Sequence, residues 1–179
     1  MFKVLIDPGH GGSDPGATYK TTHEADLNLE LSNKLAIALA ALGASTDLTR
    51  KTDIFVSLKD RVKHEIVYQS TLFVSMHCNA FANVSARGFE VLYYKDASTS
   101  SIVAKEIVDC VKVKFPLHGT GLVVRKDLYV LKNTTCPAIL IENFFVTNAS
   151  DRIILSSDTE KDQLITIIAK AIWDAPLSH

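Results

Sequence analysis

The 179-residue sequence predicts a single-domain α/β sandwich: about six strands in a twisted, mixed but mostly parallel sheet, with helices on both faces. Three observations predict it. Short apolar runs that stop at Pro, Gly or a charged residue alternate with longer stretches of helical spacing, the rhythm of strand–helix–strand units. With 47% hydrophobic residues the chain has ample material for one core. No linker, repeat or low-complexity segment divides it.

The elements follow in order. "FKVLID" (2–7) is an apolar run halted by Pro8–Gly9, hence a strand. Leucines at 27, 31, 35, 39 and 42 mark a helix from Glu24 to Leu42, stopped by Gly43. "ASTDLTR" (44–50) is a modest strand. Ser57 caps a helix to about Gln69, with Leu58, Val62, Ile66 and Tyr68 facing inward. "TLFVSMH" (71–77) is a strand, and after a loop at 80–86 "RGFEVLYYK" (87–95) alternates like another. A helix runs from about Thr99 to Lys114, ended by Pro116. "DLYVL" (127–131) and "PAILIE" (137–142) read as two more strands, whose hairpin-like spacing admits an antiparallel pair. "NASDRIIL" is a short helical turn before an amphipathic helix at about Thr159–Trp173.

Composition excludes several functions. A net charge of −1 leaves no basic excess to hold a polyanion, so nucleic acid is not expected as a partner. No apolar run approaches the roughly 20 residues needed to span a bilayer. "MFKVLIDPGHGG" is too poor in apolar residues for a signal peptide, so the expectation is a chain made in the cytoplasm, unless a leader was removed. Cys78, Cys110 and Cys136 form no CxxC pair, which predicts buried or half-buried free thiols rather than a disulfide framework or a cysteine zinc cluster.

The informative feature is how the apolar strands end. "FKVLID" leads into His10, "TLFVSM" stops at His77 and "PAILI" stops at Glu142. Ligands collect beyond the carboxyl ends of strands in open α/β sheets, so these groups are expected on one rim. Two imidazoles and a carboxylate are the ligand set of a catalytic zinc site, where the ion lowers the pKa of water towards about 7. Such a site also needs a base that is not a ligand. Glu24, just after the glycine loop, and Glu142, inside an apolar run that would raise its pKa, are the two candidates for these roles. Plainer readings exist for each. Thr21 and Glu24 fit a capping box, His77 fits a hydrogen-bonded core histidine, and Glu142 could pair with a buried arginine. "GHGGSDPG" lacks the Gly-Lys-Ser/Thr end of a phosphate loop. His23, His64, His118 and His179 are weaker ligand candidates, and strand alternation turns Cys78 away from the face of His77.

Taken together and in order, "LIDPGHGGSDPGA", "HEADLNLELSNKLA", "LFVSMHCNA", "GFEVLYY" and "CPAILIENFFVTN" resemble the landmarks of zinc-dependent N-acetylmuramoyl-L-alanine amidases of the third type. That family includes bacterial autolysins and the catalytic domains of phage endolysins. The resemblance runs from residue 3 to about residue 172. It implies one zinc ion held by His10, Glu24 and His77, with Glu142 as the catalytic carboxylate. It implies peptidoglycan as substrate, cut at the amide between the lactyl group of N-acetylmuramic acid and L-alanine of the stem peptide. The sequence departs from the family at Cys78, where a small residue commonly follows the histidine and cysteine is expected to be tolerated, and at Asn143–Phe144, where many relatives have x-Gly; Asn143 and Phe144 are expected to reshape the groove while Glu142 stays. "DLYVLKNTTCPAILIENFF" is most like clostridial phage endolysins. Without a leader, an endolysin or prophage lysin acting on the wall fits better than an exported autolysin. The chain reads as one catalytic domain with the wall-binding domain absent. A branched polymer calls for a shallow open groove, with Asn79, Arg125 and Leu131 near its rim. The planar fork of Arg125 suits a stem-peptide carboxylate. The rivals are another zinc peptidoglycan hydrolase, such as a carboxypeptidase or deacetylase, and a non-catalytic wall-binding module. A binder has no need of a general base, so the presence of all four site residues speaks against the module.

Overall fold

The computed structural model describes residues 2–177, so His179 lies outside the described residues. The chain runs β1 (Lys3–Pro8), β2 (Thr18–Tyr19), β3 (Thr22–His23), α1 (Glu24–Leu42), β4 (Ser45–Leu48), α2 (Leu58–Tyr68), β5 (Leu72–Asn79), β6 (Phe89–Tyr93), α3 (Thr99–Val111), β7 (Leu117–Val124), α4 (Tyr129–Asn133), β8 (Ala138–Phe145), α5 (Ala149–Ser156) and α6 (Asp158–Asp174). Six strands form one sheet in the order β4-β1-β5-β8-β6-β7, while β2 and β3 make a small separate hairpin. Within the six-stranded sheet β4, β1, β5 and β8 pair in parallel, and so do β6 and β7, while the β6–β8 pairing is antiparallel. The expected mixed, mostly parallel six-stranded sheet is what forms.

Local chemistry sets the helix ends as the sequence suggests. Gly43 adopts the left-handed conformation that closes α1, and the Ser57 hydroxyl accepts from the Asp60 N–H at the start of α2. The inward face of α2 differs from the expectation. Leu58 and Ile66 face solvent, and Arg61, Val62 and Glu65 are buried. The polar residues turn in because each has partners there: Arg61 reaches backbone carbonyls, and the Glu65 carboxylate accepts from the N–H and hydroxyl of Thr135.

Two further corrections concern the sheet. Residues 127–131 are not a strand; Tyr129–Asn133 form the short helix α4, which tucks Val130 and Leu131 under the sheet. The sixth strand is instead β7, whose sequence "LHGTGLVV" is interrupted by Gly119 and Gly121, both with positive φ. The antiparallel pair is therefore β6–β8 and not a hairpin of 127–131 with 137–142. Of the thiols, all free, Cys78 is buried and Cys136 half-buried, but Cys110 is exposed on the solvent side of α3.

Strand alternation divides the sheet into unequal faces. Val4, Ile6, Val74, Met76, Ile139 and Ile141 join the main core, which includes residues of α1, α3 and α6. Leu5, Phe73 and Leu140 point the other way and meet Val62 of α2 with Val130 and Leu131 of α4 in a smaller cluster. Along the same strands the period-two positions that follow are Asp7, Ser75, His77 and Glu142. Register aligns them: Asp7 lies opposite Ser75, His77 opposite Glu142, and Glu142 opposite Glu90.

The Asn143–Phe144 departure lies at buried positions: Phe144 sits in the main core, and Asn143 donates to the His77 carbonyl at 3.0 Å, so it bears on the strand that carries the site rather than on the open groove. Phe144 takes φ of 69°, a left-handed value that explains a preference for glycine there. Its ring packs 6.1 Å from that of Phe89 and 5.7 Å from that of Phe115, and this burial offsets the backbone strain.

Candidate metal centre

The glycine loop after β1 carries His10 in a left-handed conformation, φ 61°. For a non-glycine residue that costs on the order of 1–3 kcal/mol and needs outside support. Two buried arginines supply it. Arg61 donates to the carbonyls of Pro8 at 2.7 Å and His10 at 2.9 Å; Arg50 donates to those of Pro8 at 3.0 Å, Gly9 at 2.9 Å and, on α1, Ala25 at 2.7 Å. Arg61 is itself paired with Asp7 at 2.6 Å, and the Asp7 carboxylate also accepts from Thr49 and Ser75.

Glycine is required where side chains crowd this loop. A Cβ on Gly9 would lie 2.2 Å from the His77 ring. One on Gly16, whose φ is +65°, would lie 2.7 Å from both the Glu24 carboxylate and the His10 ring. These two positions let imidazoles from separate elements close over one carboxylate.

Glu24 is the hub. Its Oε2 is 3.3 Å from His10 Nε2 and accepts from the Ala17 N–H; its Oε1 is 3.0 Å from His77 Nδ1 and accepts from the Cys78 N–H and Asn28 Nδ2. The capping-box reading fails, because His23 occupies the N-cap of α1 with no side-chain cap bond. Burial works to raise the Glu24 pKa, but hydrogen bonds with His10 and His77 overrule it and hold the carboxyl below the usual range. The bond to Glu24 likewise lifts His10 to about 9 against the effect of burial. Donor atoms of His10, Glu24 and His77 all lie within 4.8 Å of one another, a nitrogen–nitrogen–oxygen set that fits a divalent cation. The second nitrogen of His10, Nδ1, is 2.8 Å from Asp14 Oδ2, a carboxylate behind an imidazole of the kind that orients metal-binding histidines.

Glu142 lies beside His77 in the β5–β8 register. Burial pushes its carboxyl up to about 7, and its Oε2 is buried without a hydrogen-bond partner in the protein. The alternative of a buried arginine partner is not realised. The strand-end argument thus brings His10, Glu24 and His77 together, with Glu142 beside His77.

The three expected rim residues fare differently. Asn79 is half-buried; it donates to Glu90 Oε1 at 2.8 Å and accepts from the Ala80 N–H at 2.8 Å. Arg125 forms a two-pronged pair with Asp127 at 2.8 and 2.7 Å. Leu131 is 5% exposed in the small core cluster, so it does not face the groove. Among the weaker histidines, His64 pairs with Asp47 at 3.0 Å, His23 is exposed, and His118 on β7 packs its ring 4.9 Å from that of Phe145. Sequence reasoning missed Arg50, Arg61, Asp14 and Glu90. The available signal was charge inside otherwise apolar segments, and for Asp14 its place four residues after His10.

The architecture has known counterparts. A family model described as N-acetylmuramoyl-L-alanine amidase matches residues 4–174. The chain belongs to this family. Among curated amidase relatives, it is 34% identical over 178 residues to the N-acetylmuramoyl-L-alanine amidase LytC of Bacillus subtilis, covering 98% of this chain and 35% of LytC. It is 33% identical to the endolysin of Bacillus phage SPP1, covering 87% of this chain and 59% of that protein. The chain thus spans about a third of the one and three-fifths of the other. Among solved amidase structures, it is similar to the N-acetylmuramoyl-L-alanine amidase from Clostridium difficile 630, with a TM-score of 0.89 and 34% identity over 96% of this chain and 95% of that one. The family resemblance inferred from the ordered motifs therefore holds, and its relatives include both a bacterial amidase and a phage lysin. Among the described residues no helix is long and apolar enough to cross a membrane.

Proposed function

We propose that this chain hydrolyses the amide between the lactyl group of N-acetylmuramic acid and L-alanine in peptidoglycan, with His10, Glu24 and His77 holding one zinc ion and Glu142 as general base and acid. The observation that carries the reading is the packing of three donor groups within 4.8 Å beside a buried carboxylate, one oxygen of which has no partner in the protein. When bound, zinc supplies Lewis-acid polarisation of a carbonyl and of water. The chain's own residues do the rest. Glu24 and the arginine-held loop fix both imidazoles. Glu142 accepts the proton of the attacking water as oxygen bonds to the carbonyl carbon, and returns it to the alanine nitrogen as the carbon–nitrogen bond breaks. The site of action is the bacterial wall, reached by lysis of a host or by export.

Digestion of purified peptidoglycan followed by mass spectrometry of the fragments is expected to show new L-alanine amino termini and no new reducing sugars. A chelator should abolish the release and added zinc restore it. Release of terminal D-alanine or of acetate would assign the chain to a carboxypeptidase or deacetylase instead. A second expectation concerns Asp14. If it orients a metal-binding His10, Asp14→Ala should weaken zinc binding by about 10–100-fold in a chelator competition. Unchanged affinity would remove Asp14 as the group that orients His10.

A further inference from the structure

A cleft of about 310 Å³ opens from the His10–His77 pair towards α2 and α4. Polar groups gather at its His10 end, where Asp14 is bonded to the imidazole, and the arm beyond is mostly apolar. Phe55, Leu58, Leu128, Tyr129 and Leu140 line that arm, and its buried charges, Asp7 and Arg61, neutralise each other at 2.6 Å. Phe55 is 58% exposed, yet it is not on loose chain: Asp53 accepts from the Gly12 N–H at 2.7 Å and the Val56 carbonyl accepts from Arg61 at 3.0 Å. Phe55 thus stands as a fixed aromatic wall of the cleft that opens beside His10 and His77, the concave apolar kind of place where ligands bind. On the far side of His77 the sheet face is polar. It continues through Glu142 and Glu90, with Asn79 bonded to Glu90 and with Arg125 in electrostatic reach of both carboxylates.

The proposed substrate is divided in the same way. Its stem peptide carries ionised carboxylates, which lose solvation against apolar walls without gaining partners. Its amino sugars are uncharged along the ring and present a face of C–H groups suited to aromatic side chains. Resting on the amidase reading, we infer that the apolar arm is a sugar subsite: Phe55 and Tyr129 hold the ring next to the muramic acid whose amide lies at the donor cluster. The stem peptide then leaves across the polar arm.

The test compares two substrates with the same stem peptide, one on a muramic acid monosaccharide and one on the N-acetylglucosamine–N-acetylmuramic acid disaccharide. The parent is expected to prefer the disaccharide. Phe55→Ala and Tyr129→Ala should each lower the disaccharide-to-monosaccharide ratio of kcat/KM by about tenfold, the size of a lost aromatic contact. Val113→Ala, a change at an exposed position on the far side of the molecule, serves as control. An unaltered ratio overturns the subsite, and a lost preference that follows peptide length instead reverses the orientation and overturns it equally. Titration of the peptide-free disaccharide into the parent, followed by NMR, separates this from the amidase reading. Shifts at the Phe55 and Tyr129 rings support the subsite even where no amide is cut. Amide cleavage without such shifts keeps the amidase and removes the subsite.

Discussion

Glu142→Gln is expected to lower turnover of peptidoglycan by about 10²–10⁴-fold, the usual contribution of a positioned general acid–base group. Zinc content should stay at the parent level, because among the described residues the donor atoms within 4.8 Å of one another belong to His10, Glu24 and His77. Glutamine keeps the shape of the side chain and removes its capacity to carry a proton. The same variant should melt at or above the parent temperature. Burial of a carboxylate with an unpartnered oxygen costs stability, and the neutral amide relieves part of that cost. The combination of lost turnover, retained metal and undiminished melting separates a chemical role from a structural one. Lysis at the parent rate would show that another group moves the proton.

Arg61→Leu is expected to reduce stability by about 3–5 kcal/mol, the range for removing one member of a buried pair. The change strands Asp7 at the β1–β5 junction and takes donors from the carbonyls of Val56, Pro8 and His10. For a chain of this length each kcal/mol lowers Tm by roughly 2–4 °C. Urea denaturation would measure the loss directly. Zinc affinity should fall as well, since the His10 backbone is held in its left-handed conformation from its own carbonyl. A variant within about 1 kcal/mol of the parent, in the ordinary range for substitutions, would mean the glycine loop keeps its shape unaided.

What the sequence disclosed and what it hid divide along physical lines. β1, β5 and β8 were legible because a buried parallel strand is a continuous apolar run, and each of these runs stops at a functional group. Glu24 was legible as a candidate but not as the hub, since the Thr21-x-x-Glu24 spacing fits an ordinary cap equally well. β7 was hidden by Gly119 and Gly121, which weaken the apolar signal of a strand lying at the sheet edge. "DLYVL" misled because five residues are too few to tell a strand from one turn of helix once Val130 and Leu131 are both buried. Arg50 and Arg61 were invisible in their roles because most of their partners are backbone carbonyls far away in sequence, and a carbonyl leaves no mark in a residue string. Glu90 escaped notice because β6 runs against β8, so the residue facing Glu142 falls near the start of its strand and not at the end.

The order of strands has a consequence for biosynthesis. β8, the last strand to leave the ribosome, is the inner strand that joins β4-β1-β5 to β6-β7. Until Phe145 has emerged, the nascent chain holds two separate strand groups with no shared sheet. It also lacks Glu142. A truncated or stalled product that ends before β8 therefore cannot assemble the groove, and the complete set of His10, Glu24, His77 and Glu142 comes together only at the end of synthesis.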